Sequence, residues 1–258
     1  MTQPYVMDTL NHTAYEGRFA LKTYSDPRGL MPAESAILER LRPRIVGKTL
    51  LDIGVGGGRT TPFLLEMSRD YTAIDYSEGL VQQVKGKFGL DSVYCCDVRD
   101  MSRFPDDRFD FILFSFNGLD CIAHKGRLKA LGEIRRVLKR GGVFLFSSHN
   151  RAVIDEAHRA AAGGFRYSVA TSLRRKFWKV LLTPRRFRLR RHEMATSEYA
   201  IVNDSGLRYS LLLYYISIRS QIDQLNKMEF SVEGMYDMQG DPADHGDRSP
   251  WIHYLVTK

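Results

Sequence analysis

Asp52, Gly54, Gly56 and Gly58 occupy alternate positions in L-L-D-I-G-V-G-G-G-R-T-T, residues Leu50 to Thr61. Glycine at this density lets the backbone take positive φ and approach a ligand closely, at a cost in chain entropy. Two ligand classes commonly use a strand followed by a glycine loop. Dinucleotides ask for G-x-G-x-x-G, with the third glycine where a helix N-terminus meets a pyrophosphate. Counting from Gly54 and Gly56, that third position is Arg59, so the test fails. No G-K-[ST] follows, which excludes a P-loop. The pattern that fits is D-x-G-x-G-x-G.

The elements that must carry this loop are legible from hydrophobic spacing. Thr49–Ile53 is a short apolar run, and Thr60–Met67 reads as helix. Tyr71–Ile74 is a second strand ending at Asp75, followed by the helical Ser77–Phe88. Ser92–Cys96 is a third strand ending at Asp97, and Phe109–Phe116 a fourth. Gly126–Lys139 has Leu128, Leu131, Ile134 and Leu138 at helical spacing. Gly141-Gly142 is expected to close that helix before a fifth strand, Val143–Ser147. Strands alternating with helices predict an α/β fold, a doubly wound and mostly parallel sheet. Right-handed crossovers then align the strand ends, and with them Asp52, Asp75 and Asp97, along one edge.

Downstream, Tyr209–Leu225 reads as a helix, with an apolar strand across Leu211–Ile218 as the competing reading. Phe230–Tyr236 and Trp251–Val256 predict an antiparallel C-terminal hairpin, for a sheet of seven strands. Residues 1–150 and 200–258 are expected to form the core. Within it, residues 1–45 would make a helical cover over the open sheet edge, and residues 151–199 an inserted basic cap.

In order and spacing these segments resemble the class I S-adenosylmethionine-dependent methyltransferases, over roughly residues 45–150. The resemblance implies S-adenosylmethionine as cofactor and assigns its contacts residue by residue. Asp52 and the glycines Gly54, Gly56 and Gly58 correspond to motif I, where the acid supports the cofactor's amino group. Asp75, in A-I-D-Y, would hold both ribose hydroxyls, a task suited to a carboxylate that accepts two hydrogen bonds. Tyr76 would pack on adenine. Asp97, in C-C-D-V, would take the adenine amino group, with the Val98 amide on the ring nitrogen. F-D-F-I-L-F-S-F-N-G-L-D resembles motif IV, which puts Ser115, Phe116 and Asn117 beside the methionine part.

Methyl transfer to a hydroxyl needs a base. His149 leaves the fifth strand towards the acceptor side, and histidine is the residue type suited to a base near neutrality. Asp120 and His124 are second candidates; His253, within the last strand, reads as structural. No carboxylate set suggests magnesium, so no metal is expected.

The 258 residues are 43% hydrophobic and 26% charged, as in an ordinary globular protein. No apolar run reaches transmembrane length, and the polar N-terminus does not read as a signal peptide, so the expected location is cytoplasmic. Cys95, Cys96 and Cys121 form neither a metal spacing nor a disulfide framework and are expected to be buried. The formal charge of +8 has one source. Residues 157–192 hold 11 Lys and Arg and no Asp or Glu, which leaves 27 basic against 30 acidic residues elsewhere. Within that run, Leu173, Phe177, Val180 and Leu181 share one face of an expected amphipathic helix. A solvated lid, arginine clamps for an anionic acceptor, and a peripheral membrane or nucleic-acid contact are the three readings of it. The sequence lacks the N-P-P-Y or D-P-P-Y tetrapeptide of base-amino methyltransferases, so the acceptor read here is a small molecule or glycan, methylated at oxygen. An RNA methyltransferase, or a partner protein that binds the cofactor without catalysis, is the alternative. Acceptor identity and oligomeric state are not written in the sequence.

Overall fold

The computed structural model describes residues 3–24, 29–155, 184, 187–204 and 207–258. Most of the basic run, with its expected amphipathic helix, lies outside the described residues. Four parallel neighbours start the sheet: β1 (Leu50–Ile53), β2 (Tyr71–Asp75), β3 (Val93–Cys95) and β4 (Phe109–Phe114), followed by β5 (Leu138–Asn150) beside β4. Their order is β3-β2-β1-β4-β5. The chain then returns antiparallel: β10 (Trp251–Thr257) pairs with β5, and β9 (Ser231–Tyr236) with β10.

Side chains alternate across the strands and build a core on each face. Leu51, Ile53, Ile112 and Phe114 pack on one face with α6 (His124–Val137) and α7 (Ile218–Lys227). Leu50, Ala73, Phe111, Leu113 and Val143 pack on the other with α3 (Pro32–Ile45), α4 (Thr61–Met67) and α5 (Glu78–Phe88). Local signals set the helix ends. Pro62 sits in the first turn of α4, where a missing N–H costs nothing. The Ser77 hydroxyl caps α5 by accepting from the Leu80 N–H, and Gly89 closes it in the left-handed conformation.

The structure departs from the sequence reading in several places. Among the described residues the sheet has ten strands, not seven. The additions are β6 (Met194–Ala195), β7 (Tyr199–Val202) and β8 (Leu213–Ile216). The ladder of β4 with β5 ends at Phe114–Phe146, and β8 then takes up His149 and Asn150. β10 already holds the other edge of β5 through His149, so β8 fills the edge that β4 vacates. The three short strands therefore rise above the carboxyl end of β4. β6 and β7 pair across residue 199, so no break in the sheet falls at the expected end of the cap. The segment from Tyr209 is β8, within the competing strand reading across Leu211–Ile218, followed by α7, because the apolar run stays extended until the Ser217 hydroxyl caps the helix. Gly141-Gly142 lies inside β5, beyond the end of α6. The N-terminal helices do not lie along a sheet edge. α3 covers a sheet face, while α1 (Gln3–Tyr15) and α2 (Arg18–Tyr24) bend over the strand ends. Cys95 is exposed, since β3 is a three-residue edge strand, and Cys96 and Cys121 are half-buried.

Gly54, Gly56 and Gly58 all have positive φ, at 65°, 54° and 78°. At Gly58 a Cβ would clash with the Cε2 edge of the Phe88 ring at the end of α5. Gly58→Ala is expected to cost about 1–3 kcal/mol through strain and overpacking, read as a lowered denaturation midpoint.

Candidate cofactor and methyl-transfer site

A cavity of about 320 Å³ opens at the carboxyl ends of β1, β2 and β4. Gly54, Gly56, Asp75, Tyr76, Asp97, Val98, Ser115 and Phe116 line it. The remaining positions singled out from sequence, Asp52, Gly58, Asn117 and His149, stand behind this wall.

Asp75 ends β2 nearly buried. Its Oδ2 accepts from the Gly56 N–H at 2.9 Å and its Oδ1 from the Ser77 N–H at 2.9 Å. Burial pushes its carboxyl up to about 6, against the pull of those amides. A carboxylate has about four acceptor positions, more than these amides fill. Asp52 is fully buried below the loop and accepts from Thr60 Oγ1 at 2.6 Å and Tyr71 Oη at 3.0 Å. Burial lifts it too, to about 6, and its Oδ1 has no hydrogen-bond partner among the described residues. Burial also opposes ionisation of Asp97, but hydrogen bonds from the Arg99 side chain and backbone N–H hold it below the usual carboxylate range. Arg99 Nη1 reaches on to Asp8 of α1 at 2.5 Å, so the wall beside Val98 is tied to the N-terminal helix.

Sequence reasoning missed the roof. His12, Tyr15 and Tyr24 of α1 and α2 line the cavity, with His12 and Tyr15 ring centroids 5.1 and 5.8 Å from that of Tyr76. Tyr15 Oη lies 3.1 Å from Cys121 Sγ, a thiol that burial pushes up to about 12. Arg59 also lines the cavity. It pairs in bidentate fashion with the buried Glu34 of α3, and Nη2 donates to Ser115 Oγ at 3.2 Å. No local signal marks α1 as a roof; only its expected helicity was readable.

At the far end, Phe116 and Asn117 are both left-handed, with φ of 54° and 55°, and turn the chain sharply after β4. Non-glycine residues in that region store strain and cluster at sites. Asn117 Nδ2 lies 3.1 Å from His149 Nε2. His149 Nδ1 lies 2.8 Å from Asp120 Oδ2, in the 3-10 turn Gly118–Cys121. Phe116, Trp251 and Tyr215 surround the imidazole and its approach: Trp251 is 5.0 Å from Phe116 and 5.8 Å from His149, and Tyr215 is 4.6 Å from His149. The other candidates fall elsewhere. His124 stacks on Tyr199 at 4.4 Å, and burial lowers its pKa. His253 is buried within β10. Among the described residues no group of three or more His, Cys, Asp or Glu could hold a metal, and no helix is long and apolar enough to cross a membrane.

A parallel sheet with an antiparallel C-terminal return, a glycine loop after β1 and acids after β2 and β3 define a Rossmann-like cofactor domain. Residues 51–146 match the family model described as a methyltransferase domain. A probable S-adenosylmethionine-dependent methyltransferase of Mycolicibacterium smegmatis is 26% identical over 115 residues, 45% of this chain and 43% of that protein. The demethylmenaquinone methyltransferase of Clavibacter sepedonicus is 30% identical over 102 residues, 38% and 40% of the two chains. The chain thus spans less than half the length of these relatives. In fold it is similar to the Burkholderia thailandensis 1,6-didemethyltoxoflavin-N1-methyltransferase, crystallised with that substrate and S-adenosylhomocysteine, with a TM-score of 0.62, 14% identity and 100% and 91% coverage. A Clostridium acetobutylicum S-adenosylmethionine-dependent methyltransferase gives 0.59 at 15% identity, covering 88% and 90%.

The residues present fit this cofactor. The bare glycine backbone and the Asp75 carboxylate, both on the cavity wall, suit a ligand rich in donors. When bound, S-adenosylmethionine supplies an activated methyl group on a sulfonium.

Proposed function

We propose that the protein methylates a hydroxyl of a small-molecule or saccharide-like acceptor, with His149 as the base. The observation that carries this reading is the imidazole at the end of β5, linked to Asp120 and to the Asn117 that follows the cavity wall. An amine acceptor needs only to be neutral, whereas a hydroxyl gains from a positioned base, so a histidine here argues for oxygen. In the proposed assignment Asp75 holds the ribose diol, and Tyr76, Asp97 and Val98 face the adenine. Ser115 and Phe116 flank the methionine end, with Asn117 behind them. Asp52 and Gly58 support the loop.

A small acceptor agrees with the chemistry of two similar proteins, whose names give demethylmenaquinone and 1,6-didemethyltoxoflavin as substrates. Among the described residues, the arginines lining the cavity are already committed, Arg59 to Glu34 and Arg99 to Asp97 and Asp8. Recognition of an anionic acceptor would therefore fall to the basic run.

Incubation with methyl-labelled S-adenosylmethionine and cell extract, with and without ribonuclease, tests the class of acceptor. Label in a small-molecule or glycan fraction is expected. Label in nuclease-sensitive polymer overturns the reading in favour of RNA, and cofactor binding without any label favours a non-catalytic role. His149→Ala should cut transfer by roughly 10²-fold while leaving S-adenosylhomocysteine binding intact. An unchanged rate removes His149 as the base.

A further inference from the structure

Asp120 is fully buried, and three donors and the His149 imidazole converge on it. Its Oδ1 accepts from Arg127 Nη1 at 2.6 Å and Ser148 Oγ at 2.7 Å; its Oδ2 accepts from the His149 backbone N–H at 2.6 Å and faces His149 Nδ1 at 2.8 Å. These contacts use the four lone-pair positions of a carboxylate, so Asp120 has none left for a substrate proton. Arg127, also fully buried, is its ion-pair partner. An ionised carboxylate only accepts hydrogen bonds, so His149 Nδ1 must be the donor. The neutral imidazole then carries its lone pair on Nε2, where the Asn117 amide donates at 3.1 Å. Asn117 Oδ1 is buried without a partner among the described residues. Reversing that amide would give the oxygen a donor only if both ring nitrogens were protonated.

We infer that Asp120 is a positioning residue that fixes His149 with Nδ1 protonated, leaving Nε2, under the Asn117 amide, as the nitrogen that takes the acceptor's proton. This rests on the reading of His149 as base and assigns Asp120 a different task from the one first considered for it. In the step the acceptor's O–H bond breaks towards Nε2 and its oxygen forms the new C–O bond. The electron pair of the breaking C–S bond stays on sulfur. Asn117 leaves Nε2 as the hydroxyl arrives, and its partnerless Oδ1 is free to turn to a donor on the acceptor. The groups facing the ring are Asp120, Tyr215 of β8, Trp251 of β10 and Asn117, with Arg127 reaching it only through Asp120.

The tautomer is directly measurable by nitrogen-resolved NMR of histidine-labelled protein bound to S-adenosylhomocysteine near pH 8. The expected spectrum has a protonated Nδ1 and a bare Nε2 for His149, assigned by its loss in His149→Ala. A protonated Nε2 with a bare Nδ1 overturns the inference, whatever the activity. In Asp120→Asn that still binds S-adenosylhomocysteine, the single-tautomer signature should give way to a mixture; an unchanged signature makes Asp120 merely structural and also overturns it. Should Asp120→Asn fail to fold, the wild-type spectrum alone decides. Failure of the base reading looks different: the expected tautomer together with undiminished methyl transfer by His149→Ala.

Discussion

Asp75→Ala should weaken binding of S-adenosylhomocysteine by about 10²-fold or more, measured by calorimetry. The side chain is the charged acceptor proposed for two ribose hydroxyls, and a hydrogen bond to a charged group contributes about 1.5–3 kcal/mol. Two of them account for a hundredfold loss and more, at 1.4 kcal/mol for each factor of ten. The loss has a second source, because the Gly56 and Ser77 amides that Asp75 now holds would be released and the glycine loop loosened. Asp75→Asn separates the two, since an amide oxygen still accepts one of those bonds while the charge is gone.

The same residue sets a pH dependence. Burial raises the Asp75 carboxyl to about 6 in the free protein. Hydroxyl donors favour the ionised form, so binding is strongest when Asp75 is already a carboxylate. Affinity should therefore be flat above about pH 7 and fall as the pH drops through 6, with a proton released on binding in that window. Asp97 titrates below its usual range and adds nothing there. Asp52, also near 6, is the competing source. If Asp75→Asn keeps the full pH slope, Asp52 and not Asp75 controls it.

The cofactor side was legible because it depends on backbone geometry that only certain residues permit. Gly54, Gly56 and Gly58 take positive φ, and Asp75 comes where the apolar run of β2 stops. Such signals are local in sequence. The parallel order of the sheet and its antiparallel return followed from the same alternation of apolar runs. What was not legible depends on distant partners. Tyr15 and Tyr24 become a roof only because α1 and α2 fold back over residues some 50 positions later. The extra strands β6 to β8 are two to four residues long and exist by pairing past the end of β4, which no period reveals. The helix before β5 is the sharpest case. Its apolar spacing put Leu128 on the inner face, yet Leu128 is only half-buried and the neighbouring Arg127 is wholly buried. A lone arginine in a helix reads as solvated until its counter-charge is known, and that counter-charge, Asp120, sits on the preceding turn among residues read as acceptor-side loop.

Arg127→Ala should for that reason be the most destabilising single change at the site. The guanidinium bonds Asp120 Oδ1 at 2.6 Å, Gln221 Oε1 at 2.6 Å and Gln224 Oε1 at 3.0 Å, and lies 4.6 Å above the Tyr214 ring. It thus joins the turn after β4, helix α6, helix α7 and strand β8 at one buried point. Removing it strands the Asp120 charge in the interior, for which about 3–5 kcal/mol is the expected cost. In a chain of this size that is a fall in Tm of roughly 10 °C, read by calorimetry. The pair itself is not the source of this stability, since two buried charges lose hydration that their attraction only partly returns. Arg127→Met combined with Asp120→Asn, which leaves no charge behind, should therefore recover a large part of the loss. It should do so without restoring methyl transfer, because His149 would then have lost the carboxylate that orients it. Recovery of stability with activity still missing separates the two tasks of this cluster, holding the helices together and aiming the imidazole. A single Arg127→Met variant that melts within about 1 kcal/mol of wild type would show that Asp120 finds water or another donor when its partner is gone.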